Sequence, residues 1–205
     1  MPASTPRLAA ALIALACWVG LALNFSATYA NDKDLVATLW RLGHFFTIIS
    51  NLALAIAMTW LALGGRVSPF LEAGLTLAML LVGIVYVLLL HGLHPLSGRA
   101  LIANHLLHYV SPIAMAVYWL LFTPHGRLRW RDPFWWAVFP LAYFSYVIAR
   151  GLSGDGYPYP FINMAKLGAV QTAINALGIA AGFILCGLVL VFADRQILGR
   201  GRSRR

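Results

Sequence analysis

Six apolar stretches, separated by short polar turns, constrain this chain more tightly than any other feature. They cover residues 8–25, 45–63, 71–90, 101–122, 134–148 and 167–192. A helix crosses the hydrocarbon of a bilayer in roughly 17–25 residues. In that solvent only helices and closed barrels satisfy every backbone amide. The fifth stretch is short and aromatic, and the last is long enough to tilt. Of the 205 residues, 61% are hydrophobic and only 10% are charged, whereas a soluble domain carries about a quarter charged residues. The turns are rich in Gly, Pro, Asn and charge, as in Asn31-Asp32-Lys33-Asp34, Gly64-Gly65-Arg66 and His94-Pro95. They leave no room for a soluble domain. The expectation is an all-α, polytopic membrane protein, with residues 1–205 forming a single bundle of six transmembrane helices.

The net charge of +9 invites a nucleic-acid reading, but its distribution points to the membrane. With alternate turns assigned to opposite sides, Arg7, Arg66, Arg127, Arg129, Arg131, Arg195 and the tail Arg200, Arg202, Arg204 and Arg205 fall together. Lys33, Arg41, Arg99, Arg150 and Lys166 fall on the other side. Ten cations against five put both termini in the cytoplasm by the positive-inside rule. This fits an integral plasma (inner) membrane protein of bacterial type with no nucleic-acid partner. The first stretch is longer than the roughly 7–15 residues of a cleaved signal core, and Trp18 is bulky, so it reads as a retained helix. Cys17 and Cys186 lie in apolar helix and read as small buried hydrophobes.

Polar groups inside such spans are costly and mark either function or a helix partner. Thr47, Ser50 and Asn51 interrupt the second span, and Asn104, His105, His108 and Ser111 the fourth. Thr47 and Asn51 share a helical face at i,i+4, as do Asn104 and His108. With both termini inside, these two spans run inward from the outer surface. Thr47 then lies roughly 6 Å and His108 roughly 10 Å below it, at 1.5 Å per residue. A hydroxyl and an imidazole can therefore face each other. Gln171 and Asn175, also i,i+4, turn amides towards the same layer from the sixth span. Ser, Thr, Asn and Gln also join transmembrane helices by hydrogen bonds worth about 0.6–2 kcal/mol, and that reading applies fully to Gln171 and Asn175.

The pairs His91/His94 and His105/His108 are both His-x-x-His at outer helix ends, and imidazoles so spaced can hold a transition metal or haem. No carboxylate accompanies them inside the membrane, so no metal and no cofactor is expected. A His-rich metal- or haem-binding protein is one alternative, and a non-catalytic lipid-binding protein another. The Gly-x-Ser-x-Gly elbow, the His-Glu-x-x-His motif and the phosphate-binding glycine loop are all missing.

Phe45-Phe46-Thr47, Asn104-His105-Leu106-Leu107-His108 ahead of a proline, and Tyr157-Pro158-Tyr159-Pro160-Phe161 ahead of the last span occur in an order that resembles the androgen-induced-gene (androgen-dependent TFPI-regulating protein) family. That resemblance implies a six-helix membrane hydrolase that cleaves fatty acid esters of hydroxy fatty acids with a threonine and a histidine. The nucleophile would fall on Thr47 and the catalytic histidine on His108. The chain is shorter than the family pattern, its proline after His108 comes earlier, and Ser50-Asn51 stands where an acidic or amide residue follows the threonine. The expected activity is hydrolysis of a lipid acyl ester near the outer leaflet. Asn104, Asn51 or a backbone carbonyl would orient the imidazole. The substrate and oxyanion pocket would draw on Asn51, Asn104, His105, Gln171 and Asn175, and the apolar walls would receive acyl chains from the bilayer.

Overall fold

The computed structural model describes residues 4–93 and 95–202, so His94, Arg204 and Arg205 lie outside the described residues. The described residues are helical and include no strand. The chain divides into two compact units, Met1–Pro124 and His125–Arg205.

The first unit begins with α1, Ser4–Asp32, and a short helix α2, Leu35–Leu42. Asp34 caps α2 by accepting from the Ala37 N–H at 2.7 Å, and Arg41 in its last turn pairs with Asp32 at 2.9 Å. Such a cap satisfies one of the donors that every helix start leaves over. Residues 35–42 fall between the first two apolar stretches, so this helix is an addition to the expected spans. The chain then turns by 93° into α3, Phe46–Ala62. Helix α4, Pro69–Leu90, starts with Pro69 in its first turn and Ser68 capping the Leu71 N–H at 3.2 Å. Helix α5 follows as Gly98–Phe122.

Small side chains let these helices approach closely, the usual basis of packing where lipid is as apolar as the core. Ala10, Ile13, Ala14 and Cys17 of α1 meet Leu54, Ala55 and Met58 of α3, with Met79 of α4 and Met115 of α5 closing the cluster. Gly83 of α4 lies so near α5 that a Cβ there would be 3.3 Å from Pro112 Cβ. Outward faces are apolar as well: Leu12, Ile56, Leu88 and Ile113 are all exposed.

Two π turns interrupt the α register of the first unit. In α4 the turn covers Tyr86–Leu90, with the His91 N–H bonded to the Tyr86 carbonyl at 2.8 Å. In α5 it covers Leu106–Val110, with the Ser111 N–H bonded to the Leu106 carbonyl. Pro112, which follows at once, has no N–H to offer the His108 carbonyl, so α-helical bonding could not have continued unbroken there. Turns of this kind are often found at functional sites.

The second unit contains α6, Asp132–Trp136, α7, Val138–Arg150, and α8, Met164–Arg202, with a break in α8 at Gly168 (φ 76°). Buried Asp194 accepts from the Leu128 N–H at 3.1 Å and meets His125 Nδ1 at 3.1 Å. Arg150 pairs with Asp155 at 2.9 Å and donates to the Tyr146 hydroxyl at 2.8 Å.

By length and composition four described helices can cross a membrane: α1, α4, α5 and the 164–198 part of α8. The bent pair α2 and α3 adds a fifth if taken as one span. The stretch expected as another span is split between α6 and the 13-residue α7. Helices of this length and composition are compatible with a multi-pass membrane protein.

Candidate active site

Thr47 is the second residue of α3 and only 7% exposed. Its Oγ1 lies 3.1 Å from His108 Nε2, across the interface between α3 and the π turn of α5. The other ring nitrogen, Nδ1, lies 3.2 Å from the Asn104 carbonyl one turn earlier. A carbonyl only accepts, so Nδ1 carries the hydrogen and Nε2 is left as the acceptor for the threonine hydroxyl. Of the three groups considered for orienting the imidazole, the backbone carbonyl holds that place.

A second layer fixes these two residues. The Tyr86 ring, from the π turn of α4, lies over the His108 imidazole with centroids 4.2 Å apart and planes at 31°. The Tyr86 hydroxyl accepts from Asn104 Nδ2 at 2.7 Å. One tyrosine thus covers the imidazole and ties down the residue whose carbonyl holds it. Tyr109 and His91 extend the layer outward, with the Tyr109 hydroxyl 3.0 Å from His91 Nδ1.

Asn51 braces the other side. It is fully buried, and its Nδ2 donates both to the Thr47 carbonyl at 2.9 Å and to the Leu107 carbonyl at 3.1 Å. Its Oδ1 accepts from the Ser111 hydroxyl at 2.5 Å. The π turn makes this possible. In α register the Ser111 N–H would bond to Leu107, but here it bonds to Leu106 and leaves the Leu107 carbonyl for Asn51 and, at 3.3 Å, for the Ser111 hydroxyl. With both amide hydrogens engaged, Asn51 holds α3 to α5 and has none left for an oxyanion.

The residues singled out from sequence therefore fall into two groups. Thr47, Asn51, Asn104 and His108 come together, joined by Ser111. His105 is exposed, with Nδ1 on the Leu101 carbonyl at 2.8 Å and its ring against Tyr109. Gln171 and Asn175 belong to the second unit, where Gln171 Nε2 donates to Asn175 Oδ1 at 2.9 Å and Asn175 Nδ2 to the Phe161 carbonyl at 2.8 Å. Ser50 is 1% exposed, and its hydroxyl has no hydrogen-bond partner among the described residues. Tyr86 escaped the sequence reading, although a lone tyrosine within Val85-Tyr86-Val87 of an aliphatic run was a usable signal.

For metal binding, no group of three or more His, Cys, Asp or Glu side chains gathers among the described residues. His91, His105 and His108 each direct Nδ1 to an oxygen of the protein. Chemically, the arrangement is a hydroxyl in contact with an imidazole whose tautomer is set for proton abstraction. It sits at the start of a helix, where the helix dipole favours negative charge. Compared with known proteins, the chain matches no family model, no curated protein and no solved structure.

Proposed function

We propose that this protein is a membrane-embedded hydrolase of lipid acyl esters, with Thr47 as nucleophile and His108 as general base. The observation that carries the reading is the 3.1 Å contact of Thr47 Oγ1 with an imidazole whose opposite nitrogen is held by the Asn104 carbonyl. The resemblance to the androgen-induced-gene family, with its threonine and histidine at the matching positions, supports the same reading. Esters of hydroxy fatty acids are the substrates it suggests.

A threonine hydroxyl is a weak nucleophile until a neighbouring base takes its proton during attack. His108 Nε2 takes that proton as Oγ1 bonds to the ester carbonyl carbon. The carbonyl oxygen becomes an oxyanion, which the Thr47 N–H, in the first turn of α3, would stabilise. Collapse of this intermediate breaks the bond to the alcohol oxygen, which receives the proton from His108. Acyl-Thr47 remains. Water then attacks the acyl carbon as His108 takes its proton, and that proton returns to Oγ1 as the free acid leaves.

In the proposed topology the helices make six passes with both termini cytoplasmic, supported by the ten-to-five division of cations. Thr47 and His108 then lie just below the outer headgroups of a bacterial inner membrane, where water reaches the acyl-enzyme.

The test uses the full chain purified in detergent. Thr47→Ala and His108→Ala, each with a wild-type melting profile, are expected to lower ester turnover by about 10²–10⁴-fold and to abolish labelling by a fluorophosphonate probe. Wild-type turnover in either variant overturns the pair.

A further inference from the structure

We infer that the cleft between α4 and α5 holds the acyl chain of the ester and selects its length, a refinement that rests on the hydrolase reading. The cleft has a volume of about 460 Å³, and His108 is among the residues that line it. Apart from His108 and Tyr109, every side chain lining it is hydrocarbon, among them Leu80, Val87 and Val117. It exists because small or ring-closed residues face each other along it: Gly83 on α4, with Pro112 and Ala116 on α5. It is open along one side, where Val87 is 53% and Val117 48% exposed.

Its position relative to His108 identifies the occupant. The α5 residues of the lining run from His108 to Val117, nine residues and so roughly 13 Å of helical rise. An extended hydrocarbon with bonds near 1.5 Å advances roughly 1.3 Å per carbon, so about ten carbons fit between the level of His108 and the far end. A carbonyl placed at His108 therefore points its chain along the cleft, away from the start of α3 and towards the middle of the membrane in the proposed topology. An unbranched acyl chain meets all three conditions: a polar head at His108, an apolar body, and lateral access from lipid. Longer chains leave through the open side into the bilayer.

The experiment fills the far half of the cleft. Ala116→Phe places a ring two helical turns beyond His108, and Ile56→Phe, on the exposed face of α3, serves as control. Turnover is measured with butyryl and decanoyl esters of one alcohol. The decanoyl-to-butyryl ratio of kcat/KM is expected to fall at least tenfold in Ala116→Phe and to stay at the wild-type value in Ile56→Phe. In parallel, Thr47→Ala protein is photolabelled with a decanoic acid carrying a terminal diazirine. Adducts are expected in 80–88 and 112–117, and Ala116→Phe is expected to suppress them. Adducts spread over every exposed apolar face, or an unchanged ratio in an active Ala116→Phe protein, overturn the cleft assignment. Wild-type protein that hydrolyses neither ester overturns the hydrolase reading instead, and the labelling pattern still decides whether the cleft binds a chain.

Discussion

Asn51 Nδ2 of α3 donates to the Leu107 carbonyl of α5 at 3.1 Å, and that oxygen is available because the π turn has passed the Ser111 N–H back to Leu106. The residue next to the imidazole and the helix that begins with the hydroxyl are therefore bonded through one amide. Replacing it by Asn51→Ala leaves the Leu107 carbonyl without its amide donor and the Ser111 hydroxyl without its Oδ1 acceptor. The Ser111 hydroxyl still reaches the Leu107 carbonyl at 3.3 Å, so the cost is that of the hydrogen bonds lost with the amide, about 1–3 kcal/mol together. Tryptophan-monitored thermal unfolding in detergent is expected to show that loss, and ester turnover is expected to fall about tenfold as Thr47 and His108 drift apart. Unfolding at the wild-type temperature would show that the amide carries no strain of the helix pair.

Ser50 should behave in the opposite way. Helical hydroxyls elsewhere, as at Thr28, Thr38, Thr59 and Thr76, donate to the carbonyl four residues back. The Ser50 hydroxyl is buried without a partner among the described residues, and an unmade bond in such a place is a cost to the folded state. Ser50→Ala is expected to leave stability unchanged or to raise it by up to about 1 kcal/mol. The same melting assay checks this, and a loss larger than that would show that the hydroxyl is bonded after all.

Tyr86 acts through His108 and Asn104, as a positioning residue. Its ring covers the imidazole at 4.2 Å and its hydroxyl accepts the Asn104 amide at 2.7 Å. Tyr86→Phe keeps the ring and loses one hydrogen bond, worth about 1 kcal/mol. Tyr86→Leu also loses the ring pair, another 0.5–1.5 kcal/mol or so. On the proposed chemistry, kcat is expected to fall a few-fold in Tyr86→Phe and more than tenfold in Tyr86→Leu, with KM for a butyryl ester holding in both. Equal kcat in the two variants would remove the ring from the account.

Much of this arrangement was legible in the sequence, and the rest was hidden for identifiable reasons. The i,i+4 spacing of Thr47 with Asn51 and of Asn104 with His108 marks two polar faces, and counting residues into each span puts them at similar depth. No sequence rule foretells that α5 slips into π register at 106–110, so the donor for Leu107, and with it the bracing role of Asn51, stayed out of sight. Helix α2 was missed because eight residues following Asp34 read as the end of a loop when the next apolar run is counted from Phe45. Gln171 and Asn175 show the opposite limit. Their spacing matched that of the site residues, yet their amides bond to each other and to Phe161 within the second unit. Periodicity reports a face and leaves its partner open.

Close approach of backbones supplies the last prediction. A Cβ at Gly20 of α1 would lie 2.7 Å from Leu107 Cδ2 and 3.1 Å from Leu106 Cβ, the two residues that open the π turn. The leucine tip can move, but the Leu106 Cβ cannot move without its backbone. Gly20→Ala is therefore expected to cost about 1–3 kcal/mol through overpacking, despite the better helix propensity of alanine. Gly178 of α8 is the contrasting case, since a Cβ there meets nothing within 4 Å. Gly178→Ala should raise stability by about 0.5–1 kcal/mol through backbone entropy alone. Melting of the two variants in detergent checks the signs, and turnover adds a second reading. Pressure on the π turn reaches the residue beside His108, so Gly20→Ala is expected to lose activity beyond its loss of folded protein, whereas Gly178→Ala keeps wild-type turnover. A Gly20→Ala protein as stable and active as wild type would show that α1 does not hold the turn in place.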